Sequence, residues 1–168
     1  MHKAVVKAFL FVGLIAPVLP AATGAELSDI ASQYHMLEWV DLVPEGWEPP
    51  LIPPGHDSAE STQVPVEAVV AKLDRQTVTL PGFMKPLVFE GNEVFKFLLV
   101  PFLPHHTKQH AHLDANQMVH VSLLEPVIVD KPLAPIWVIG TITVDAVLTE
   151  EGPAAYSIGD AVITEYKY

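Results

Sequence analysis

Two long alternating runs, each interrupted by glycine, constrain the fold of this chain more than any other feature. Residues 77–89 (TVTLPGFMKPLVF) set Val78 and Leu80 against Thr77 and Thr79, then meet Pro81-Gly82. Ile136 to Leu148 alternates over a similar length with Gly140 inside it. Alternation with period two sends successive side chains to opposite faces of a strand, and an interior glycine marks a bend or bulge. Shorter candidates are Glu93 to Val100, Gln117 to Leu124, where Val119, Val121 and Leu123 share one face, and Tyr156 to Tyr166. There is no βαβ rhythm, no long helical period and no internal repeat. Five or six strands with bends inside the long ones predict a mainly β fold, a small OB-like barrel over 66–168.

The barrel is preceded by other material. Residues 26–37 (ELSDIASQYHML) carry Ser28 as an N-cap and Ile30, Tyr34 and Leu37 at helical spacing, which predicts a short amphipathic N-terminal helix. Glu38 to Pro65 holds Pro44, Pro49, Pro50, Pro53 and Pro54 with Trp39 and Trp47. Proline cannot donate to a ladder, so this reads as an extended proline-rich arm packed by its own aromatics.

The first 25 residues have the shape of a secretory signal. Lys3 and Lys7 precede the apolar run Ala8 to Leu19, and Pro20 and the small residues to Ala25 follow it. The run is shorter than the ~20 residues that span a bilayer. The chain has no cysteine, so a lipoprotein-type anchor is chemically impossible. Cleavage near Ala25 and a soluble periplasmic protein are the expectation. Losing Lys3 and Lys7 takes the formal charge from −11 to −13. Such a surface repels phosphate backbones and anionic lipids, which argues against nucleic acid and membrane partners.

Chemistry concentrates between two strand candidates. Five of the eight histidines, His105, His106, His110, His112 and His120, fall within sixteen positions, with the loop itself spanning 103–115. Imidazole is the commonest protein ligand for transition metals. His106 and His110 share a face over one helical turn, and His110 and His112 share a face in an extended backbone. Three of these rings with water or Asp114 make a four-coordinate zinc site, and His120 lies where it can reach back toward the loop. Zinc suits imidazole plus carboxylate; copper(II) and nickel(II) are the alternatives. His35 and His56 stand alone, and Glu45, Glu48, Asp57 and Glu60 read as a solvated face.

Several blocks resemble a known family. Leu37 to Pro50 (LEWVDLVPEGWEPP), Leu73 to Leu87 (LDRQTVTLPGFMKPL), Phe97 to Phe102 (FLLVPF), Asn116-Gln117 and Pro135 to Val144 (PIWVIGTITV) occur in the order found in an uncharacterised family of exported bacterial proteins. It is catalogued as domain-of-unknown-function family 3299. The resemblance implies an accessory of periplasmic metal supply, beside an ABC transporter component or a periplasmic metal-binding protein. The family pattern has Cys-x-His and a proline run between the equivalents of Phe102 and Asn116. Here the segment reads LPHHTKQHAHLDA, with His106 near the cysteine position. Imidazoles in place of a thiolate keep zinc competence, and no catalytic residue is carried over.

The function expected from these observations is zinc binding and delivery through residues 105–120, without enzymatic activity. The rivals are a metal-independent module that docks on a transporter subunit, and a zinc hydrolase with Asp114 as general base.

Overall fold

Strand β2 organises the molecule because it is long enough to serve three neighbours. In a computed structural model, which describes residues 34–48, 64–103, 113–131 and 133–166, it spans Gln76–Glu90. The other strands are β1 (His35–Met36), β3 (Glu93–Val100), β4 (Val119–Ile128), β5 (Pro135–Thr143), β6 (Val147–Thr149), β7 (Gly152–Ala154) and β8 (Tyr156–Glu165). The first half of β2 pairs antiparallel with β5, from Gln76 opposite Ile142 to Phe83 opposite Pro135. Its second half pairs antiparallel with β3, from Phe83 opposite Val100 to Glu90 opposite Glu93. The order β2-β3-β4-β8-β5 returns to β2 and closes a five-stranded barrel, in which only β4 and β8 run parallel. This is the OB-like barrel that the alternation predicts.

The two interior glycines are required by close approach. A Cβ on Gly82 would lie 2.8 Å from the Val100 carbonyl oxygen and 2.9 Å from the Leu99 side chain. One on Gly140 would lie 2.5 Å from Ile158 Cγ2 and 3.0 Å from the Gly159 oxygen. Both sites are places where strands of a tight barrel converge. Inside the barrel, Val78, Leu80, Phe97, Val121, Val138 and Ile158 are among the residues removed from solvent. Burial of each side chain of this size contributes about 1.5–3 kcal/mol.

The alternating run beginning at Ile136 ends sooner than its pattern predicts. β5 stops at Thr143, and the chain leaves the barrel to make the β6–β7 hairpin before entering β8. The predicted N-terminal helix does not reach Leu37. His35 and Met36 are extended and pair parallel with Val78 and Thr79 of β2, and Leu37 N–H donates to the Thr79 oxygen at 2.9 Å. An available strand edge satisfies this backbone better than a marginal short helix would. Residues 26–33, the signal-like segment 1–25 and the proline-rich stretch 49–63 lie outside the described residues. Among the described residues no helix is long and apolar enough to cross a membrane.

The described parts of the arm are fastened to the barrel through side chains. Trp39, in the 3-10 turn Trp39–Leu42, donates its indole N–H to the Pro81 oxygen at 2.8 Å and packs on the core. Tyr156, at the start of β8, is fully buried. Its hydroxyl donates to the Leu42 oxygen at 2.7 Å and accepts from Val70 N–H at 2.7 Å. One phenol thus binds both flanks of the arm to the barrel wall. Burial raises its pKa above the usual 10.0 and the Val70 contact opposes that rise, so the hydroxyl keeps its proton. Tyr156→Phe leaves a buried N–H and carbonyl without this partner. It should cost about 1–3 kcal/mol in chemical denaturation. An unchanged midpoint would show that the arm does not depend on this hydroxyl.

Candidate metal-binding segment and its frame

The run Phe97-Leu98-Leu99-Val100 is buried on both faces of β3. Phe97 and Leu99 enter the barrel core, while Leu98 and Val100 join Met118 and Ala154 in a second cluster on the outer side. Phe83, Leu87, Leu103 and Leu113 pack around that second cluster. Leu103 and Leu113 flank the stretch that contains His105, His106, His110 and His112. Both flanks of the segment are therefore held to one patch of the barrel's outer face by apolar contact. The far flank continues into the 3-10 turn Ala115–Gln117. There the Ala115 oxygen accepts from Ala155 N–H at 2.8 Å, and buried Asn116 donates its side-chain N–H to the Ala68 oxygen at 3.2 Å.

Of the six predicted ligands, His105, His106, His110 and His112 lie outside the described residues. Asp114 and His120 are described. Asp114 precedes the 3-10 turn, and its carbonyl accepts from Gln117 N–H at 2.9 Å. Its side chain makes no capping hydrogen bond, and the residue is half-buried. His120 is half-buried on β4, opposite Leu98 of β3 and Ser157 of β8, and two residues beyond Met118 on the same face. Asp114 and His120 thus bracket the outer cluster from the turn and from the strand. Among the described residues no group of three His, Cys, Asp or Glu side chains is placed to hold an ion.

Burial, and then the positive charge of Lys96, lower the His120 pKa below the usual 6.5. Both effects favour the neutral ring, the form that coordinates metal. Beyond His120 in the same cross-strand row, Ser157 Oγ and Thr143 Oγ1 are 2.7 Å apart in a hydrogen bond. Lys96, Ser157 and Thr143 escape a reading of the sequence because only strand register brings them beside His120. His35 is exposed and its Nδ1 lies 3.2 Å from Gln76 Oε1, in keeping with a surface role. Trp137 stacks on Tyr166 with ring centroids 5.1 Å apart. Trp47 buries its indole nitrogen without a hydrogen-bond partner among the described residues.

The lowered pKa gives folding a pH dependence of definite sign. The unfolded chain binds the His120 proton more readily than the folded one, so this contribution is full above the unfolded value and is lost as pH falls below it. Urea midpoints at pH 7.5 and pH 5.5, chosen to straddle the ordinary imidazole value of about 6.5, should fall further for the wild type than for His120→Asn. Equal slopes would mean that His120 is not perturbed by its surroundings.

Comparison with known proteins places these features in context. The sequence profile described as "Protein of unknown function (DUF3299)" matches residues 39–165. The crystal structure of a DUF3299 family protein from Pseudomonas aeruginosa PAO1 is similar to this chain, with 32% sequence identity and a TM-score of 0.63. The alignment covers 80% of this chain and 97% of that one. No curated protein matches the chain.

Proposed function

The chain belongs to the DUF3299 family, and from that premise we propose that it is a periplasmic zinc-binding accessory protein. It takes up the ion through the segment 105–120 and hands it to a metal-uptake system, by way of an ABC transporter component or a periplasmic metal-binding protein. The observation that carries this reading is density: His105, His106, His110 and His112 occupy eight positions, and His120 follows on the adjoining strand.

The frame supports the reading. Apolar contacts at Leu103 and Leu113 hold the flanks of the segment at one outer patch. This shortens the search its side chains must make for a common ion, and so lowers the ordering cost of coordination. His120 beside that patch, with its neutral form favoured by burial, adds a further nitrogen donor. A run of several imidazoles also suits transfer, because ligands can be exchanged one at a time. Zinc is the first choice for imidazole with an optional carboxylate, and copper(II) or nickel(II) would compete for the same nitrogens.

Titration against a chromogenic chelator tests the reading. Wild-type protein should take up one equivalent of zinc at neutral pH, and the His106→Ala/His110→Ala/His112→Ala variant should bind at least about tenfold more weakly. Affinity should fall steeply between about pH 7 and pH 5.5 as protons compete for the rings. Undiminished uptake by the triple variant, or equal binding at both pH values, would remove the segment from consideration.

A further inference from the structure

β2 runs past the barrel that it helps to close. Its pairing with β5 stops at Phe83, whereas its pairing with β3 continues to Glu90. β4 likewise pairs with β8 only as far as Leu123, and after a break in its pairing with β3 beyond Ser122 it rejoins β3 at Val127 and Ile128. The ends of β2, β3 and β4 thus form a three-stranded tongue. Among the described residues, the edge of β2 from Met84 to Glu90 that faces away from β3 carries no strand. Apolar side chains crowd this tongue: Val88 is 51% exposed, Phe89 57%, Leu124 62% and Ile128 67%. An open strand edge carrying exposed apolar residues is a template for another strand.

The residue order along the edge identifies that strand. A second copy laid antiparallel about a twofold axis between Leu87 and Val88 sets Lys85 opposite Glu90, Pro86 opposite Phe89, and Leu87 opposite Val88. The faces agree as well as the charges. Pro86 and Phe89 lie opposite the core residues Phe97 and Val94, which puts both on the core side of the sheet. Lys85 and Val88 lie opposite Leu98 and Lys96 on the other side, where Leu87 packs on the outer cluster. The register shift between Pro86 and Val88 is the bulge that lets Leu87 and Val88 share that side. Glu90 follows Phe89 by alternation and falls on the same side as Lys85. Pro86 has no N–H to give to a ladder, and its ring would pack on Phe89 of the other copy.

We propose that this chain forms a twofold dimer through the β2 edges, with Lys85–Glu90 pairs setting the register and Val88 and Phe89 buried between copies. The contact is isologous, so it closes at two copies and does not propagate. Lys85 also reaches Glu151 of its own chain, which holds its side chain beside the edge. The tongue lies at the opposite end of the β3–β4 pair from Leu103 and Leu113, the described flanks of the histidine segment. The dimer stands independently of metal binding.

Sedimentation of the purified protein at physiological salt, with and without charge exchange, decides the matter. Wild type should pass from monomer to dimer over the micromolar range. Lys85→Glu and Glu90→Lys should each weaken association by about tenfold or more, because each sets like charges opposite one another. An equimolar mixture of these two variants should dimerise again, since both cross-pairs are then of opposite charge. That recovery would also show both variants to be folded. A monomer at all concentrations overturns the proposal, as does a dimer indifferent to both exchanges. So does a tongue that binds only anionic vesicles or an unrelated protein.

Discussion

The change of partner along β2 is the constraint on which the rest of the molecule depends. One fifteen-residue strand is hydrogen-bonded to β5 over its first half and to β3 over its second, with Phe83 shared between them. Because those two neighbours are also joined to each other through β4 and β8, the sheet must curl back on itself, and that curl is barrel closure. Gly82 sits at the changeover, where a Cβ would collide with Val100 and Leu99. The same geometry sends the far ends of β2, β3 and β4 beyond the barrel, and it places the β3–β4 connection, which contains the histidines, at the opposite end.

Much of the barrel could be read from residue order. The alternation of Val78 and Leu80 with Thr77 and Thr79 marks the inner face of β2, and Gly82 and Gly140 mark the tight contacts of β2 with β3 and of β5 with β8. Signals that act through partners distant in sequence stayed hidden. Nothing near Tyr156 announces that its hydroxyl bridges Leu42 and Val70, 114 and 86 residues away. The helix predicted over 26–37 fails at His35 because a strand edge far along the chain captures that backbone. The run Phe97–Val100 suggests a strand buried on both faces, yet its second cluster is completed by Met118 and Ala154 from other elements.

The candidate site divides along the same line. Its ligand chemistry is local and visible, because histidines at 105, 106, 110, 112 and 120 are a property of the string of residues. The surroundings of that segment are not local. Leu103 and Leu113 pack on one outer patch, and burial and then Lys96 lower the pKa of His120. Asp114 keeps a side chain uncommitted to capping. On the proposed reading, anchoring at Leu103 and Leu113 shortens the search of the donors between them for a common ion, which lowers the entropy lost on coordination.

X-ray absorption at the zinc edge of the stoichiometrically loaded protein is the most direct test of that central claim. Coordination by the segment predicts at least three imidazole nitrogens at about 2.0–2.1 Å, with the outer-shell scattering of histidine rings. A first shell of oxygen alone, without ring scattering, would mean that the ion sits elsewhere on this acidic surface and that the histidines do not act together.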